Sequence, residues 1–460
     1  MKMTKRFVPI LLCVLLLTAA LGGCVQSSAP SSTEKSSTAE STTSTNSTAS
    51  AGETSAGSDD VTLRIWDWDE EHLTHMTAFY QETHPNVKFE TMLVQSTDYM
   101  QKLRSALASG TDIPDIILGE VGYRGRLFDL GILEDLSQDP YNVSENDMFE
   151  FANQLQSGPN GELLGVEQQI CPSGFAYRRD LALEYLGTDD PAELAKLMPD
   201  WDSFIALGEQ VASKSSGSVS IFPGISVMVY ETLVGQGPSE YIDGDTINLT
   251  ERYMDTFELA VKMNQSGILG KQERETPALN SGFAAGEFIF YPCPPWALKW
   301  NIEVNDPEGT GNWGLTSATS GGFTRGGTSV SIYSGSENKD AAWEYIQHTY
   351  CDGDGVEEAY KKFGFMTAFK SAYEDPDSYF FTTEGAYDEY FGGQNLADYY
   401  INVITLETEG QVQTKHEATV RDALLAVVSQ MANDKDLTAE AAMELLKQET
   451  QTMIPEATIK

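Results

Sequence analysis

The hydrophobic period changes twice between Val61 and Glu120, and that pattern restricts the chain to very few architectures. Val61-Thr-Leu-Arg-Ile-Trp66 alternates as a half-buried strand does and runs into Trp66-Asp67-Trp68-Asp69. From Glu70 to Thr83, Leu73, Met76, Phe79 and Tyr80 fall at helical spacing, until His84-Pro85-Asn86 breaks it. Val87 to Val94 reads as a second strand. Ser96 or Thr97 then caps a helix with Tyr99, Leu103 and Leu107 on one face, ended by Gly110. Ile116 to Leu118 is a short buried strand closing at Glu120. Strand, helix, strand, helix, strand predicts a parallel sheet covered on both faces. Ligands of such sheets sit beyond the carboxyl ends of the strands, where Trp66 to Asp69 and Glu120 lie.

The rest of the body continues in mixed fashion. A strand region spans Gly161 to Val166 and Gly174 to Tyr177, with Gln168, Gln169, Cys171 and Pro172 between. Pro191 to Gln210 is predicted helical, with Trp201 and Phe204 packing. Asp243-Gly244 centres a hairpin over Tyr241 to Leu249. A strand from Phe288 to Tyr291 enters Pro292-Cys-Pro-Pro-Trp296, and another begins at Trp313. Gly321-Gly322 and Gly326-Gly327 bracket a crossing of the chain. Asn338 to Tyr350 and the C-terminal third, ending with Leu437 to Ile454, are predicted helical.

Before the body stand two segments of other character. Lys2, Lys5 and Arg6 precede an apolar run, Phe7 to Ala20, too short for a comfortable membrane span; this predicts a cleaved signal peptide over residues 1–23. Leu21-Gly-Gly-Cys24 is similar to the bacterial lipoprotein box, which implies acylation of the Cys24 thiol. Residues 24–60 then form a Ser/Thr-rich tether without aromatic residues, unable to bury a core. As a flexible coil it reaches roughly 30–36 Å. The expected location is the outer face of the bacterial cytoplasmic membrane, lipid-anchored and extracellular.

The formal net charge of −40 excludes nucleic acid and anionic lipid surfaces as partners. Beyond Cys13 and Cys24, the cysteines are Cys171, Cys293 and Cys351, an odd number without zinc-site spacing. A Cys171–Cys293 bridge and three buried free thiols are the alternatives. His72 and His75 share a helix face beside Glu70 and Glu71, but no third ligand is suitably spaced, so no metal is expected. Asp352-Gly-Asp-Gly355 lacks the further ligands of a calcium loop and reads as a turn. No nucleophile elbow or phosphate-binding loop occurs, and no cofactor is called for.

From Val61 onward the chain resembles the extracellular solute-binding proteins of sugar ABC transporters, in the cluster that includes maltose-binding protein. Five stretches in matching order carry the resemblance: Ile113-Pro-Asp-Ile116 with Glu120 and Gly131 to Leu136; Gly161 to Gly165 with Tyr177 to Leu181; Phe283 to Glu287 through Trp296; Gly326-Gly327 with Asn338 to Trp343; and Gly364 to Thr367 with Ser371 to Tyr373. It departs from the family in its first loop, Trp66 to Asp69, and in Val166-Glu167, where a proline is usual after Gly165.

The resemblance implies a two-lobed periplasmic-binding-protein fold, each lobe a mainly parallel sheet flanked by helices, joined by hinge crossings. Lobe 1 would take residues 61–168 and 323–365, and lobe 2 residues 169–322 and 366–460. It implies a monomer that captures a mono- or oligosaccharide and hands it to a membrane permease. A polyamine or other small solute is the alternative ligand, and a surface carbohydrate-active enzyme the alternative class. Sugars have apolar ring faces and hydroxyl rims, so a site needs aromatic plates with charged or amide groups around them. The ligand-binding residues expected are Trp66, Asp67, Trp68, Glu120, Gln168, Cys171, Trp296, Gly326 and Gly327.

Overall fold

The computed structural model describes residues 60–405, 408 and 410–460. The signal segment, Cys24 and the tether lie outside the described residues. In chain order the strands are β1 (Val61–Asp67), β2 (Val87–Leu93), β3 (Ile116–Glu120), β4 (Val166–Glu167), β5 (Pro172–Arg178), β6 (Ile242–Asp243), β7 (Thr246–Ile247), β8 (Phe290–Cys293), β9 (Trp313–Thr316), β10 (Phe323–Thr324), β11 (Thr328–Ile332) and β12 (Thr458–Ile459).

The first sheet has the order β2-β1-β3-β11-β4. β1 runs parallel to both β2 and β3, as the alternating pattern requires, whereas β11 pairs antiparallel with β3 and β4. Both faces are covered. Leu63 and Ile65 are buried on one face of β1, and Trp66 on the other. Helices Glu70–Thr83 and Ser96–Ser109 flank this sheet, with Leu73, Met76 and Tyr80, and Tyr99 and Leu103, turned inward. Asp69 caps the first helix, its carboxylate accepting from the amides of Glu71 (3.1 Å) and His72 (3.2 Å). The second helix is preceded by Gln95, with no side-chain cap, and ends at Gly110 in the left-handed region.

The second sheet centres on β5, which pairs antiparallel with β8, β9 and β10. The mainly parallel sheet expected in each half is therefore found only around β1. The partners of β5 here come from stretches that run back toward it, and near it parallel pairing is seen in the isolated bridges Ser220–Phe288 and Phe222–Leu269. β6, β7 and β12 make a small third sheet in which the chain's end pairs with the hairpin. The helical stretch expected over Pro191 to Gln210 is two helices, Pro191–Leu197 and Trp201–Lys214, each with an aspartate cap.

Two crossings join the sheets side by side. One leads from β4 to β5 through Gln168–Cys171; the other returns from β10 to β11 through Arg325–Gly327. They are laced together by Arg325 N–H donating to Cys171 O (3.1 Å) and Gln168 N–H donating to Thr328 O (2.8 Å). A third passage starts near Met366, whose carbonyl accepts from Ile170 N–H at 2.9 Å. After it the chain still packs on first-sheet elements. Phe369 bridges to Met148, and the rings of Tyr373 and Phe380 contact Phe149 and Tyr360 respectively. Helix Glu417–Asn433 touches both halves: Arg126 donates to Thr419 Oγ1 (2.9 Å), and Glu417 accepts from Tyr241 OH (2.7 Å).

Beneath the crossings lies a buried ion pair. Arg124 grips Glu167 with two nitrogens, Nη1 to Oε1 at 2.7 Å and Nη2 to Oε2 at 3.3 Å. The same guanidinium donates to Gly119 O (3.0 Å) and Leu155 O (3.2 Å), and Gln156 Nε2 donates to Glu167 Oε1 (2.7 Å). Burial nevertheless holds the Glu167 carboxyl above the usual range, against the lowering effect of Arg124. Cys171, Cys293 and Cys351 are buried free thiols. Among the described residues no helix is long and apolar enough to cross a membrane, and no His, Cys, Asp and Glu group could hold a metal.

Candidate ligand-binding cleft

The carboxyl ends of β1 and β3 and the two crossings open onto one cleft of about 420 Å³, continuous with solvent. Trp68, Glu120, Gln168, Cys171, Trp296, Gly326 and Gly327 all line it. Trp66 and Asp67 do not. Trp66, the last residue but one of β1, faces the helix Ser96–Ser109 that covers the sheet. It is 1% exposed, edge-on to Tyr99 at 5.8 Å, with Lys102 over its ring. Asp67 is also buried. Its Oδ1 accepts from the amides of Trp68 (2.6 Å) and Asp69 (3.0 Å), and its Oδ2 faces His72 Nδ1 at 3.4 Å. Asp67 thus shapes the turn that delivers Trp68, the first side chain free of the sheet.

Trp296 follows the Pro294-Pro295 pair at the start of a helical stretch, Pro295–Ala297 continuing as Leu298–Glu303. Its indole N–H donates to Arg325 O at 2.9 Å, so the return crossing fixes the ring's orientation. Gly326 makes this approach feasible: a Cβ there would stand 2.5 Å from the indole nitrogen, and its φ of +91° suits glycine. At Gly327, with φ +113°, a Cβ would meet Glu167 Oε2 at 2.9 Å and Arg124 Nη2 at 3.2 Å. The two glycines are therefore seated directly on the Trp296 indole and on the buried ion pair.

Glu120 turns one oxygen to the Gly122 amide (2.7 Å) and lines the cleft. Gln169 Oε1 is buried without a hydrogen-bond partner inside the protein. Burial pushes the Cys171 thiol well up, so it is an uncharged wall of the cleft.

Several lining residues escape the sequence reading: Gln95, Arg274, Trp300, Arg325, Thr328 and Phe365 among them. Gln95 just follows β2 and could have been found by the strand-end rule that selects Glu120. Trp300 lies one helical turn past Trp296 and is 52% exposed at the cleft. Arg274 carries no local sequence signal; a long loop brings it in. Beside Trp300, Lys299 Nζ lies over its ring at 4.9 Å and reaches Glu71 Oε2 at 3.1 Å.

A family model described as "Bacterial extracellular solute-binding protein" matches residues 75–387, more than half of the chain. The lactose-binding protein of Rhizobium radiobacter is 24% identical over 372 residues, covering 74% of this chain and 82% of that protein. Among solved structures, an extracellular solute-binding protein of family 1 superposes with a TM-score of 0.73 at 21% identity, over 85% of this chain and 99% of that one. The sugar-binding protein MalE from the phytopathogen Xanthomonas citri gives 0.69 at 17% identity, over 86% and 98%. These likenesses carry the two-lobed fold that the paired sheets and crossings describe. With an aromatic and polar cleft at its hinge and a family match across most of its body, the chain belongs to the bacterial extracellular solute-binding proteins.

Proposed function

We propose that this protein is the ligand-capturing component of an ABC importer and that its ligand is a mono- or oligosaccharide. The observation that carries this is the cleft's mixture of side chains. Trp68, Trp296 and Trp300 offer apolar plates, while Glu120, Gln168, Gln169, Arg274 and Arg325 offer donors and acceptors along the same walls. That combination matches a ring with two apolar faces and a hydroxyl rim. The relatives named above support it, being a lactose-binding and a sugar-binding protein. A polyamine would call for carboxylates to hold its several ammonium groups, and the described lining supplies Glu120 and the helix-capping Asp69. The relatives are binding proteins, and the enzyme alternative draws no support from the cleft.

In this reading the elements around β1, together with the stretch from Met366 that packs on them, form one lobe and those around β5 the other. They close about the paired crossings, and a membrane permease engages the closed form. The protein acts as a monomer held at the outer membrane face by acylated Cys24 at the head of a 24–60 tether. Thermal-shift measurement against neutral saccharides and polyamines tests the ligand class, because a ligand of the folded state raises its melting temperature. A neutral saccharide should do so; a response to spermidine alone would replace the sugar. For the anchor, Cys24→Ser should shed the protein into the medium or leave it uncleaved. A variant processed and membrane-bound as before would sink the lipoprotein reading.

A further inference from the structure

Two arginines enter the cleft from distant parts of the chain and meet on one carboxylate. Arg274 comes from the loop between helices Leu249–Ser266 and Pro277–Ala285, and Arg325 from the return crossing. Glu231 lies in the helical stretch Val229–Leu233. Its Oε1 accepts from Arg274 Nε at 2.6 Å and Arg325 Nη2 at 3.2 Å, and its Oε2 pairs with Arg325 Nε. The Glu231 side chain is 7% exposed, against 22% and 15% for the arginines. Both guanidinium groups also lie over the Tyr230 ring, at 4.5 and 4.8 Å. Burial alone would push the Glu231 carboxyl up, but Arg325 and Arg274 outweigh it and hold it below the usual range. It therefore stays ionised between two arginines that both line the cleft.

The charges around the cavity then balance closely. Two cations share one buried anion, leaving an excess of one. Glu120 lines the same cavity and offsets it. Asp69 adds a carboxylate, but its oxygen is engaged by the first amides of a helix. Arg274 Nη2 also reaches the exposed Glu275 at 2.5 Å, a pair that solvent screens. An anionic ligand would find no uncompensated cation here, and bringing its carboxylate out of water would go unrewarded. A neutral polyhydroxyl ligand can use every spare guanidinium N–H without that cost.

We propose that Glu231 sets the charge selectivity of the cleft: by neutralising the Arg274–Arg325 pair it fits the site to uncharged saccharides and turns away carboxylate-bearing ones. This rests on the saccharide reading above and narrows it. Glu231 touches no ligand itself and acts as a positioning residue through the two guanidinium groups.

The test uses matched probes, neutral di- and trisaccharides against the same chains oxidised at a terminal C6 to uronates. Calorimetric titration of the wild type should favour the neutral member of a pair by roughly tenfold or more. Glu231→Gln keeps the shape but adds one net positive charge. It should raise uronate affinity by on the order of tenfold to a hundredfold, the scale of one unscreened charge a few ångströms from another. A role confined to packing would lower both affinities together and leave their ratio unchanged. Should Glu231→Gln fail to fold, Arg274→Gln decides: it leaves Glu231 with one partner and should push the preference further toward the neutral member. Wild type preferring the uronate, or a ratio untouched by either substitution, overturns the charge assignment and leaves the saccharide reading standing. A wild type that binds no member of either set overturns both.

Discussion

Arg124→Met should lower the stability of the ligand-free protein by about 3–5 kcal/mol, the cost of leaving a buried charge without its partner. Glu167 is 1% exposed and Arg124 fully buried, so no solvent can replace the lost guanidinium. The carbonyls of Gly119 and Leu155 lose their donor in the same step. The midpoint of chemical denaturation reads this directly. The loss should depend on pH. Burial already raises the Glu167 carboxyl with arginine present, and without it the group should bind a proton more readily still. A carboxyl raised in the folded state is harmless at low pH, where both states are protonated, and costs stability as pH rises. The deficit should therefore be smaller at pH 5 than at pH 8. An unchanged midpoint at pH 8 would show that the pair does not hold the crossings together. Arg124→Lys should fall between, since one ammonium cannot reproduce the two-pronged grip.

Why this pair was not legible beforehand is instructive. Arg124 follows a strand end and Glu167 follows Gly165-Val166, and neither stretch carries a local signal that its charge is buried. Their pairing is a tertiary fact that no local pattern encodes. The framework around them was more readable. The period changes from Val61 to Glu120 specify β1, β2 and β3 with their helices, because a doubly covered parallel sheet needs that alternation. Strands β5, β8 and β9 were legible singly, at Gly174 to Tyr177, Phe288 to Tyr291 and from Trp313, but their antiparallel pairing was not, since the partners come from distant stretches. The same division runs through the cleft. Strand ends point at it, which is why Trp68 and Glu120 were found, but the rule is blind to a single residue of offset. Trp66 and Trp68 both satisfied it in the sequence, and only the pleat and the covering helix separate the buried ring from the free one. Arg274 and Arg325, which bring the cleft's cationic groups, sit in a loop and a crossing whose sequences carry no signal for what they meet.

Trp296→Ala should weaken saccharide binding by on the order of 2–4 kcal/mol, roughly 30-fold to 1000-fold in Kd, while leaving ligand-free stability little changed. The ring is only partly buried, so its removal uncovers little of the core. Its orientation is another matter. The proline pair before it restricts the backbone, and the bond from Nε1 to Arg325 O anchors the indole to the return crossing at 2.9 Å. A plate held before the ligand arrives loses no rotamer freedom on binding, which is the gain of preorganisation. Two companion variants separate the contributions. Trp296→Phe keeps an aromatic face but drops the N–H donor, so it should retain part of the affinity. Gly326→Ala leaves the indole intact but sets a methyl group 2.5 Å from its nitrogen, and the ring must swing aside. If stacking in this one orientation matters, Gly326→Ala should lose affinity although no ligand-contacting ring has been removed. Titration calorimetry with the saccharide selected by the thermal screen, run beside ligand-free melting of each variant, reads both quantities. Affinity kept in Trp296→Ala with a depressed melting point would make the indole a core residue and move the stacking role to Trp68 and Trp300.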